Sequence, residues 1–162
     1  MGLPTTIEEL NHIKEECEKM VSKRASASAL AAAVPILGTD VAADVALMRE
    51  LLPAINRKFG LSKEQIEELD PEVKRVLLVF ITSVGSELVG KLITKQVVIQ
   101  MLKKISTKIA VKQAVKVVPI LGQAASAGIS FAAMKYLGKA HINDCYEIAK
   151  QYIENEQTKP VH

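Results

Sequence analysis

Apolar side chains return every three or four residues along most of the chain, the spacing that gathers them on one side of an α-helix. Ile7, Leu10, Ile13, Cys17, Met20 and Val21 form the first such series. Thr5 with Glu8, or Thr6 with Glu9, offers a capping box ahead of it, so a helix is predicted from about residue 6 to 24. The small-residue run from Ala25 to Ala33 can carry the helix on and would let another backbone approach closely. Val34-Pro35-Ile36-Leu37-Gly38 then breaks it, because proline lacks a donor and glycine tolerates a turn.

Thr39 or Asp40 caps the next series, in which Val41, Val45, Met48, Leu52, Ile55 and Phe59 form one apolar stripe. Pro53 sits inside that stripe and is expected to kink or split the helix, and Gly60 is placed to end it. Ser62 with Gln65 predicts a short capped helix ending near Leu69. Asp70-Pro71 supplies an N-cap with proline at the first helical position, opening a buried helix through Ile81. Gly85 marks a joint. From Ser86 to Val118 the pattern is helical and basic, with a break expected near Ser106-Thr107.

Val118-Pro119-Ile120-Leu121-Gly122 repeats the segment Val34 to Gly38 letter for letter, 84 residues later. Both copies lead into small-residue helices, which predicts two helix–VPILG–helix hairpins with Pro35, Gly38, Pro119 and Gly122 as the turn residues. A last helix is expected from about 140 to 155. The predicted fold is all-α, a single compact bundle of six to seven helices. Residues 1–24 read as an N-terminal amphipathic helix, 25–155 as the helical-bundle domain and 156–162 as a flexible tail. The hairpins can pack within one chain or exchange between two copies, so a homo-oligomer stays open.

Composition narrows the function classes. Hydrophobic residues make up 49% of the 162 and aromatics only 4%, so the core must be aliphatic. With no Trp, three Phe and three Tyr, the chain lacks the stacking platforms that single-stranded nucleic-acid binding needs. Cys17 and Cys145 are far apart with no CxxC, which predicts free thiols in a reducing, cytoplasmic setting. No secretory leader and no uninterrupted apolar span is evident. Met1-Gly2-Leu3-Pro4-Thr5-Thr6 fits a loose N-myristoylation pattern, with Gly2 as the acylated residue.

The net charge of +3 conceals a strong asymmetry. Residues 1–87 carry ten basic and fourteen acidic side chains, and residues 144–162 carry two and four. Between them, residues 88–143 hold nine lysines and no acid. Lys104, Lys108, Lys112 and Lys116 recur every fourth residue, with Lys91, Lys95 and Lys103 ahead of them. Lysine rows often mark a merely solvated face, but such a face normally mixes signs. The acid-free run therefore predicts an anionic partner. Only four arginines occur, all before residue 76, which disfavours double-stranded nucleic acid.

Around Val34-Pro35-Ile36-Leu37-Gly38-Thr39-Asp40 with Asp44, Phe59-Gly60-Leu61, Val118-Pro119-Ile120-Leu121-Gly122 and Ser130-Phe131, the chain resembles the C-terminal helical domain of the immunity-related (interferon-inducible) GTPases. It is also similar to a bacterial helical domain found beside GTPase domains. The resemblance covers roughly residues 25–155 through short apolar motifs. It implies an all-α bundle and work at intracellular membranes, with the region about Ser86 to Val117 matching an amphipathic targeting helix. Only about 30 residues precede the first VPILG segment, too few for a nucleotide-binding domain, so GTP hydrolysis does not carry over.

Several enzyme-like patterns have structural alternatives. Gly85 to Lys91 fits the first seven places of the phosphate loop G-x-x-x-x-G-K-[ST], but Leu92 stands where the magnesium-binding hydroxyl belongs. His141 and Cys145, one turn apart with Asp144 between, suggest a thiolate–imidazole pair or half a metal site. The other histidines are His12 and His162, and a helix-surface His beside a half-buried Cys is the simpler reading. Asp40 and Asp44 suit a helix N-terminus without a metal. No catalytic constellation, metal or cofactor is expected. The sequence thus predicts a non-enzymatic domain for peripheral membrane association or assembly. Lys91, Lys95, Lys103, Lys104, Lys108, Lys112 and Lys116 would form its anionic-partner face. The alternative is a protein–protein module acting with a separate GTPase or other partner chain.

Overall fold

The computed structural model describes residues 2–33, 40–113 and 123–160, and among these every regular element is an α-helix. Helix α1 spans Ile7–Ala33, α2 Asp40–Lys58, α3 Lys63–Glu67, α4 Pro71–Val84, α5 Lys95–Gln113 and α6 Gln123–Thr158. Both VPILG segments, with Pro35, Gly38, Pro119 and Gly122, lie outside the described residues, and so do the hairpin turns assigned to them.

Local chemistry explains most of the boundaries. At the start of α1, Thr6 Oγ1 accepts from the Glu9 amide at 3.1 Å, while Glu9 Oε2 accepts from the Thr5 amide at 2.9 Å. Of the two candidate boxes the Thr6–Glu9 pair forms, with the carboxylate reaching one residue beyond the cap. Ser62 and Gln65 make the full reciprocal box at α3, at 3.2 and 3.0 Å. Asp70 Oδ1 accepts from the Glu72 amide at 3.0 Å, with Pro71 opening α4.

Three elements differ from the sequence expectation. Pro53 does not split α2, which runs unbroken through it. The lost donor costs roughly 3 kcal/mol, and each buried neighbour returns about 1.5–3 kcal/mol. Leu51, Leu52 and Ile55 are all essentially inaccessible, so burial wins. The second difference is that residues 86–94 are not helical. Helix α5 begins only at Lys95, where Thr94 Oγ1 accepts from the Val97 amide at 3.3 Å, and it continues without a break through Ser106-Thr107. Finally, no separate helix starts near residue 140; α6 is one continuous helix of 36 residues. Gly138 inside it is a packing residue, since a Cβ there would lie 2.7 Å from both γ-carbons of Val21.

The chain divides into two compact units. The first comprises Met1–Glu18, Leu52–Leu92 and Ala140–His162. Its core includes Leu10, Ile13, Cys17, Leu52, Ile55, Phe59, Leu61, Leu77, Cys145, Ile148 and Ile153, and Lys58 pairs with Glu16 at 2.9 Å. Tyr146 donates to Asn11 Oδ1 at 2.9 Å while Lys14 lies over its ring. The second unit comprises Lys19–Leu51 and Ile93–Lys139. It buries Val21, Ala25, Val45, Met48, Leu51, Val98, Ile105, Met134 and Leu137, and Arg24 pairs with Glu50 at 2.8 Å.

Gly60 ends α2 at φ 74°, and a Cβ there would meet the Gly2 carbonyl oxygen at 2.6 Å and the Leu3 nitrogen at 2.8 Å. Gly85 has nearly the same φ, 75°, with nothing within 4 Å of a Cβ. Left-handed backbone alone costs a non-glycine residue about 1 kcal/mol. Gly85→Ala should lose about that much. Gly60→Ala should lose about 2 kcal/mol, because the N-terminal segment must also lift away. Urea midpoints of the two variants make the comparison. Equal losses would show that the first residues do not rest on this turn in solution.

Candidate functional site

The described basic side chains fall in both units. In the first, Lys91 is exposed. In the second, the solvent side of α5 presents Lys95, Gln96, Gln100, Lys103 and Lys104, while Val98 and Ile105 are buried on the opposite side. At 100° per residue the five exposed positions occupy one half of the helix circumference, and none is acidic. Lys139 on α6 is exposed and Lys135 half-buried, with the ring of Tyr136 half-exposed between them in sequence. Lys108 and Lys112 lie on α5 among residues whose side chains are not described, and Lys116 lies outside the described residues altogether. Gly2 is exposed. Among the described residues no helix is long and apolar enough to cross a membrane.

The phosphate-loop look-alike is a packing loop. Gly85 caps α4 in the left-handed conformation. Ser86 Oγ then accepts from the amides of Leu88 and Val89 at 3.3 and 3.1 Å. Those amides therefore turn toward a buried hydroxyl and away from any anion. Leu88 and Val89 are buried, and the Leu88 carbonyl accepts from Asn56 Nδ2 at 3.2 Å.

That last hydrogen bond belongs to a polar cluster inside the first unit. Because the Asn56 amide nitrogen is committed to Leu88, its oxygen faces α6. His141 Nε2 lies 2.8 Å from Asn56 Oδ1 and Cys145 Sγ 3.6 Å from it, with sulfur and Nε2 3.8 Å apart. The network requires a proton on Nε2 and leaves Nδ1 as the acceptor. Nδ1 is buried without a hydrogen-bond partner, and the nearby Leu52 backbone favours the charged ring without offsetting its burial. Burial lowers the His141 pKa to about 4 against an ordinary 6.5, and burial pushes the Cys145 thiol well above its usual range. Cys17 is pushed up to about 12, again by burial. Asp144 is also raised by its partial burial, against a hydrogen bond from Ser86.

The sequence reading of a helix-surface histidine beside a half-buried cysteine is thus corrected: both side chains are fully buried. A thiolate–imidazole pair needs the proton to leave sulfur for the ring, and both shifts oppose that transfer. Among the described residues no group of three or more His, Cys, Asp or Glu side chains could hold a metal ion. His12 is exposed beside Glu16, at 3.5 Å. Asn56 is the member the sequence reading passed over. Its signal was present, because Asn56 lies four residues after Leu52 and three before Phe59, in the phase of the apolar stripe. Compared with models of known families, with curated proteins and with solved structures, the chain matches none.

Proposed function

We propose that the chain is a non-enzymatic helical domain that associates peripherally with an anionic membrane surface. The observation that carries this reading is the acid-free solvent side of α5, where Lys95, Lys103 and Lys104 are exposed within a run of nine lysines and no acid. Each lysine near an anionic bilayer contributes on the order of 1 kcal/mol, and several act together. An acyl chain on Gly2 would add a second, individually weak signal. The likeness of the VPILG segments to the helical domain of immunity-related GTPases is in keeping with work at membranes.

Co-sedimentation with vesicles tests the proposal. Binding to phosphatidylserine-containing vesicles, absent with neutral ones and weakening as salt rises, is the expected result. Lys95→Glu, Lys103→Glu and Lys104→Glu together should lower the affinity by about a hundredfold or more. Failure to sediment with any vesicle at low salt would overturn it. A second reading, docking on a partner protein such as a separate GTPase, is favoured by Leu78 and Val79, both exposed on α4. Apolar docking of that kind would persist at high salt.

A further inference from the structure

We propose that Leu92, carried beside Lys91 on the fixed loop after α4, inserts into the boundary between head groups and acyl chains of an anionic bilayer. The inference rests on the membrane association proposed above and assigns the residue that penetrates. Leu92 is 69% accessible, the most exposed large hydrophobic side chain among the described residues. A lone exposed leucine on a wandering loop needs no explanation, but this loop is held at several points. Ser86 closes the turn onto two amides, Asn56 grips the Leu88 carbonyl, and Leu88 and Val89 are buried. Gly90 packs so closely that a Cβ would stand 3.0 Å from Ile66 Cδ1. The chain is therefore pinned up to Gly90 and then presents an exposed lysine and an exposed leucine in succession.

The pairing selects the occupant. A protein pocket suited to Leu92 would have to accommodate Lys91 as well, whereas a bilayer boundary offers acyl chains to the leucine and phosphate or carboxylate head groups to the ammonium. Leu92 also lies within a run of residues without any acid, from 88 to 143. The exposed apolar pair on α4 differs in this respect, since Leu78 and Val79 share their helix with exposed Glu72 and Arg75.

The chain contains no tryptophan, so Leu92→Trp introduces a single indole reporter. With phosphatidylserine vesicles its emission should shift to the blue and be quenched by brominated acyl chains, with neither change on neutral vesicles. Leu92→Ser, which leaves the charge unchanged, should bind anionic vesicles about tenfold more weakly. Circular dichroism should show both variants folded, because the position is exposed. Sedimentation of Leu92→Trp with anionic vesicles but without quenching would overturn the insertion and leave membrane association standing. Undiminished binding by Leu92→Ser would do the same. Absence of binding by the unaltered chain would overturn both.

Discussion

Asn56→Leu should lower the stability of the protein by about 4 kcal/mol. Leucine fits the volume, so no cavity opens. It leaves three buried groups without their partner: the Leu88 carbonyl, the Nε2–H of His141 and the Cys145 thiol. A buried polar group stripped of its hydrogen bond costs about 1–3 kcal/mol, with a weak S–H donor at the low end. Removing His141 as well should restore part of the loss, because paired apolar replacement avoids the orphaned donor. Urea unfolding of Asn56→Leu, His141→Leu and the double variant measures this coupling. Simple additivity, or a loss below about 1 kcal/mol for Asn56→Leu, would mean that the cluster does not hold together as described.

Acidification should destabilise the protein by a comparable amount through His141. Its folded pKa is about 4, below the ordinary 6.5 of an unfolded chain. Between those values the unfolded state binds the proton more readily, so stability falls as the pH falls from 6.5 toward 4. Above that window His141 contributes no slope, and below it the loss is complete. At 1.36 kcal/mol per unit the total is about 3 kcal/mol. Asp144, raised by burial, acts in the opposite sense, since the folded protein then takes up its proton first. The difference between the parent and His141→Gln isolates the histidine, as glutamine keeps a donor for Asn56 and does not titrate. Parallel stability–pH curves for the two proteins would refute the assignment.

The helices were legible in the sequence wherever capping chemistry and apolar period agreed. Thr6 with Glu9, Ser62 with Gln65, Asp70 with Pro71 and the left-handed turns at Gly60 and Gly85 are local signals, and each is satisfied by neighbours within a few residues. Misreadings arose where a distant contact decided. A last helix reads as starting near residue 140, yet α6 runs unbroken through Gly138, which packs against Val21. Of the kink or split that Pro53 predicts, the split does not occur, and the burial of Leu51, Leu52 and Ile55 accounts for that. Residues 86–94 read as helix by period, yet Ser86 and Asn56 hold that stretch as a loop. The one-turn spacing of His141 and Cys145 is visible in the sequence, but spacing does not report burial, and Asn56 supplies what makes them a cluster from 85 residues away. The lysine run is visible in the letters alone, because charge composition requires no fold to be read.

The two fully buried thiols give the first unit an internal clock. Cys17 and Cys145 are inaccessible in the folded state, and both hold their protons more tightly than an ordinary cysteine. A thiol reagent in solution therefore meets them only during excursions in which the unit has opened. When reclosing is fast, the rate of labelling divided by that of a free thiol is the fraction of time spent open. The fate of each cysteine can be followed separately by mass. Cys17 lies on α1 and Cys145 on α6, so equal rates describe a unit that opens all at once, and unequal rates identify the helix that leaves first.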